Sequence, residues 1–258
     1  MKYLKSYKEL NEGLIKDKMV GVSDDELLKK LKKLNHHEIL QYIVTFDLDH
    51  KYLPREEDGY YHYDGDLSDI IINYNYEQDD EDVEYKLPNN LKVNGTLDCS
   101  YMNLRKLPSG LNVKSLDCSY NFLEELPDDL IVEEDLNCSY NKLKKIPKLN
   151  IKGSLNAETN YIEEIHDTNF NGYVDLTNNY IKKLPNNLSV GDSLWLNDNY
   201  LKSLPNGLTV HGNLGIPGNL ITKLPDDLIV KGALYTDNYN LDIPEKVNNV
   251  YFEKGGEY

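Results

Sequence analysis

Cysteine, methionine and tryptophan are scarce in this chain, at three, three and one residues of 258. The cysteines, Cys99, Cys118 and Cys138, are odd in number and far apart, which argues against a disulfide framework. No Cys-x-x-Cys spacing marks a metal site. No run approaches the roughly 18 apolar residues of a spanning helix. The opening Met1-Lys2-Tyr3-Leu4-Lys5-Ser6 builds no apolar segment of the secretory kind. A reducing cytoplasm is the expected location. Positive charge is also in short supply: 28 bases stand against 44 acids, a net charge of −16. Nucleic-acid affinity is largely neutralisation of phosphate by Lys and Arg, and anionic membranes attract the same residues. Direct nucleic-acid or membrane binding is therefore not expected, whereas a basic-surfaced protein partner is.

Catalytic signatures are missing too. No phosphate-cradling glycine loop and no nucleophile elbow occurs. The six histidines are scattered, and the His36-His37 pair sits where a helix is expected to start. Asp64-Gly65-Asp66 has the look of a calcium loop, but Asp69 and Asn75 at its sixth and twelfth positions reject an EF-hand. No enzyme activity, cofactor or metal is expected.

What the chain does have is a repeat. Leu-Pro or Ile-Pro begins at Leu87, Leu107, Leu126, Ile146, Leu184, Leu204, Leu224 and Ile243, with Ile165-His166 as a degenerate copy. Successive markers lie 19 or 20 residues apart. Ordering one such unit costs on the order of 20–40 kcal/mol of backbone entropy. Its six or so apolar side chains return only roughly 9–18 kcal/mol on burial. One unit cannot fold alone, and stacked units that share a core can.

The pattern between markers is Leu-Pro-x-x-Leu-x-Val-x-Gly-x-Leu-x-Cys/Leu-Ser/Thr-x-Asn-x-Leu, complete from Leu126 through Leu143. It resembles the short bacterial-type leucine-rich repeat over residues 86–252, two thirds of the chain. The resemblance implies an α/β-type solenoid: an arc with short parallel strands on a concave face. Proline and the short coil predict an extended or polyproline-like convex side. Val250-Tyr251-Phe252 is expected to add a last partial strand. Some bacterial effectors with similar repeats carry a C-terminal ubiquitin-ligase domain; with repeats running to residue 252, that activity is not expected here.

Two domains are expected, a capping domain over residues 1–85 and the solenoid over residues 86–258. Ser23-Asp24-Asp25-Glu26 is a capping box leading into Leu27, Leu28, Leu31 and Leu34 at helical spacing. A second helix is expected around Ile39, Leu40, Ile43 and Val44. Residues 56–85 hold twelve acids and no lysine or arginine. The stretch from Asn11-Glu12-Gly13-Leu14 to Lys18-Met19 is similar to openings of some tailed-phage and environmental viral repeat proteins, which implies a viral protein acting on a host component.

Position within the repeat separates packing from function. The cysteine position is later filled by Ala157, Leu176, Leu196 and Ile216, so it calls for a buried apolar group. The column Asn121, Asn141, Asn160, Asn179, Asn199 and Asn219 offers amides that can satisfy backbone groups where each strand turns. At the outermost copies Met102 and Tyr239 stand in that column. Strand alternation turns another column to the open face: Asp98, Asp117, Asn137, Asn156, Asp175, Trp195, Gly215 and Tyr235. Neighbouring columns add Asp135, Glu158, Tyr173, Asn197 and Asp237. Trp and Tyr dominate binding hot spots. Trp195, Tyr173, Tyr235, Asp98, Asp117, Asp175 and Glu158 are thus the candidate partner-binding residues. The expected function is recognition of a macromolecule through this face, about 40 Å long for eight strands. The alternative is an acidic decoy that mimics nucleic acid through residues 56–84 and the aspartate column.

Overall fold

The computed structural model describes residues 61–63, 87, 89–149, 151–166 and 169–252. All lie in one compact unit, Arg55–Tyr258. The helices expected near residues 24–45 and most of the acidic stretch fall outside the described residues.

The repeat folds as a β-solenoid of about eight turns. Strands of successive coils join a long parallel sheet of eleven strands. Along it, Leu97 pairs with Leu116, Leu116 with Leu136, Leu136 with Leu155 and Leu155 with Val174. Val174, Leu194, Leu214 and Leu234 continue the series. Each step is 19 or 20 residues, so the sequence period is one turn of the coil. The expected terminal strand is present, Val250–Phe252 beside Leu234–Thr236. At the other end Tyr61–Tyr63 pairs in parallel with Leu91–Asp98, ahead of the first repeat.

The remaining sides of the coil are extended, as proline requires, and they are also hydrogen-bonded. Asn169–Phe170, Ser189–Val190, Thr209–Val210 and Ile229–Val230 form a second parallel sheet. Lys145–Ile146 pairs with Glu164–Ile165 on a third side. No helix occurs among the described residues, so they do not bear out the α/β designation. The physical reason is length. Three short strands and their corners use up the 20 residues, leaving too few for a helix of about 10. Among the described residues no helix is long and apolar enough to cross a membrane.

Leu97, Leu116, Leu155, Val174, Leu194 and Leu214 are buried, as are leucines that open the other sides, such as Leu111, Leu188 and Leu208. Each fully buried Leu contributes roughly 1.5–3 kcal/mol. Cys99, Cys118 and Cys138 sit in this core with no exposed surface. Burial pushes the Cys138 thiol up to about 12 and raises the thiols of Cys99 and Cys118 as well, so none is a nucleophile at neutral pH.

The asparagine column forms a ladder. In Asn121, Oδ1 accepts from the Met102 and Leu104 amides, both at 2.9 Å, while Nδ2 donates to the Cys99 and Cys118 carbonyls. Asn160 and Asn179 repeat this with Leu143 N and Ile162 N at 3.0 Å. Where Tyr239 interrupts the column, Asn238 donates to the Ile221 carbonyl instead.

Candidate functional site

The outward column of the long sheet runs in the expected order. Asp98 is in register with Asp117, Asp175 with Trp195, Trp195 with Gly215, and Gly215 with Tyr235. Tyr235 is followed by Tyr251, which sequence reasoning did not place on this face.

The aspartates of this column hold their own corners. Asp117 Oδ1 accepts from the Ser119 amide at 2.9 Å and from its hydroxyl at 2.6 Å. Asp98 holds Ser100 in the same way. Asp175 accepts from Thr177 N at 2.9 Å. These are side-chain-capped turns. An aspartate is therefore accounted for at this position by the backbone alone.

Trp195 departs from that rule. With an indole in place of the carboxylate, the turn loses its acceptor. Among the described residues Asn197 Oδ1 is the buried side-chain atom left without a hydrogen-bond partner. Such an orphan costs roughly 1–3 kcal/mol. Gly215 makes the room: a β-carbon there would meet Trp195 Cζ3 at 2.8 Å and Asn197 Oδ1 at 2.7 Å. The Trp195 and Tyr235 ring centroids are 5.7 Å apart and tilted by 43°, and Tyr235 stacks on Tyr251 at 5.4 Å. Three aromatics thus gather at one end of the sheet face. Tyr173 makes no ring contact with them among the described residues.

Tyr173 lies instead among acids. Burial raises its hydroxyl pKa, and so do the charges of Asp175, Asp135 and Glu158. Glu158 is raised by burial and by Asp175. No ion pair involves these acids among the described residues. Charges elsewhere are matched between coils: Lys114 with Glu134 at 3.3 Å, Lys182 with Glu163 at 3.8 Å, and Lys223 with Asp242 at 3.4 Å. The open face of the long sheet therefore combines an uncompensated acidic middle with an aromatic end. Among the described residues no group of three His, Cys, Asp or Glu could hold a metal ion.

Sequence reasoning missed a second aromatic surface, at the corner just past the long sheet. Tyr101, Tyr120 and Tyr140 stack in series there, followed two positions further along the repeat by Tyr161, Tyr180 and Tyr200. Its signal was the recurring Ser-Tyr-Asn and Asn-Tyr around the asparagine column. No protein-family model matches this chain, and no curated protein is similar to it.

Proposed function

We propose that this chain is a leucine-rich-repeat solenoid of the short bacterial type acting as a non-enzymatic, cytoplasmic protein-binding module. The partner docks on the outward face of the long sheet, with Trp195, Tyr235 and Tyr251 as apolar anchors and Asp175 and Glu158 facing its basic groups. The 19- or 20-residue period and the leucine and asparagine positions support the repeat class. A viral protein acting on a host component fits the resemblance of its opening residues.

The observation that carries the reading is Trp195 itself. The coil has no turn-capping carboxylate at 195 and requires glycine at 215 to seat one partly buried indole. Local rules broken in this way concentrate at functional sites. Quantitative affinity capture with the full chain and with Trp195→Ala tests the reading. A protein held by the first and lost by the second supports it, and equal retention overturns it.

A further inference from the structure

Three consecutive coils place a tyrosine in left-handed backbone: Tyr101 at φ 56°, Tyr120 at 53° and Tyr140 at 52°. That conformation is costly for bulky residues and tolerated by Asn, Asp and Gly. Later coils use those types at the same position, with Asn178, Asp198 and Gly218. Backbone geometry therefore does not select tyrosine, and neither does burial, since the three are 59%, 41% and 39% exposed. They stack at 4.3 Å with rings within 8° of parallel. Tyr161, Tyr180 and Tyr200 prolong this exposed edge coil by coil. An extended apolar patch of this kind marks an interaction surface.

The geometry and charge of the edge select the occupant. The first stack ends at Tyr140, because the next coil has Thr159, which carries no ring. Among the described residues no ring covers its outer side, where the Thr159 side chain reaches the Tyr140 hydroxyl. Beside it the Glu158 charge is the main influence raising the Tyr140 hydroxyl pKa. The same edge already receives cations from within the chain: Lys142 Nζ lies 4.9 Å from the Phe122 ring centre and Arg105 Cζ lies 5.8 Å from it. Aromatic faces beside unpaired carboxylates favour a planar cation that can stack and donate at once, which is guanidinium rather than ammonium.

We propose that the tyrosine edge binds an extended, arginine-bearing segment of a partner protein, with a guanidinium laid on the open face of Tyr140 and donating to Glu158. The proposal rests on the binding role above but assigns it a second surface and a chemical class of ligand. Six coils span about 24 Å, the length of roughly seven extended residues.

The probe is a fluorescent peptide of about ten residues alternating Arg and Ser, titrated against the full chain at about 0.15 M salt. Matched Lys-Ser and Pro-Ser peptides are controls. The test variant is Tyr120→Asn with Tyr140→Asn, which keeps the net charge and uses the residue found at Asn178. The Arg peptide should bind several-fold tighter than the Lys peptide, lose at least tenfold in the double variant, and lose several-fold in Glu158→Gln, which changes only one carboxylate. Trp195→Ala should leave it unchanged. Equal binding of Arg and Lys peptides, or indifference to both tyrosines, would mean bulk charge attraction and overturn the proposal. Equal binding of the Pro peptide would overturn it in favour of an uncharged ligand. Loss in Trp195→Ala alone would overturn it too, while leaving the sheet-face reading standing.

Discussion

The indole of Trp195 lies over Gly215, its register partner in the next coil, so closely that a methyl group at 215 would strike the ring. Gly215→Ala should therefore push the indole outward. Overpacking of this kind costs about 1–3 kcal/mol. Trp195 is the only tryptophan, so the emission of the folded protein reports it alone. The emission should shift to the red and the denaturation midpoint should fall. An unchanged spectrum would mean that the glycine is not there for the indole.

The asparagine ladder is structural. Asn160→Ala removes an acceptor for Leu143 N and donors for the Cys138 and Ala157 carbonyls, all buried. It should cost about 1–3 kcal/mol in urea unfolding. Asn121 serves two amides, so Asn121→Ala should cost at least as much. Neutral midpoints for both would reject the ladder.

The cysteines should be inert in the folded chain. Their thiols are buried and held protonated. Because the folded pKa values are raised, the associated stability is intact below the ordinary thiol range and is lost as pH rises above it, when the unfolded chain ionises first. A thiol reagent at pH 8 should label native protein far more slowly than denatured protein. Rapid native labelling of all three would remove them from the core.

Glu158 gives a pH signature of its own. Burial, then Asp175, raises its carboxyl above the ordinary range. A raised folded value gives stability that is present in acid and lost as pH climbs through it. Glu158→Gln should accordingly raise Tm at neutral pH, with the gain fading near roughly pH 4, where the acid itself is protonated. A lower neutral Tm for the variant would contradict the crowding of acids around Tyr173.

The inward columns, the coil length and the terminal strand at Val250–Phe252 were legible in the sequence, because burial imposes the same demand on every coil. The outward aspartates have a second role that the sequence does not show. Asp98, Asp117 and Asp175 look like free ligands in a column, and only three-dimensional geometry reveals the turns they cap. The tyrosine edge was hidden for a related reason. Nothing about tyrosine signals left-handed backbone, and alignment with Asn178, Asp198 and Gly218 has that meaning only once φ is known. Tyr173 was grouped with Trp195 on residue type, whereas charge places it with Asp135, Glu158 and Asp175.

The central claim is that an aromatic anchor, rather than bulk negative charge, holds the partner. The most direct test is retention of captured protein on wild-type chain, on Trp195→Ala and on a chain with Asp79, Asp80, Glu81 and Asp82 neutralised, followed into 1 M salt, where screening shortens to about 3 Å. The account predicts retention through 1 M salt on wild-type and on the neutralised chain, and loss of at least about 2 kcal/mol of affinity with Trp195→Ala. Loss at moderate salt, with the four neutralised acids mattering more than the tryptophan, would contradict it and identify an acidic decoy.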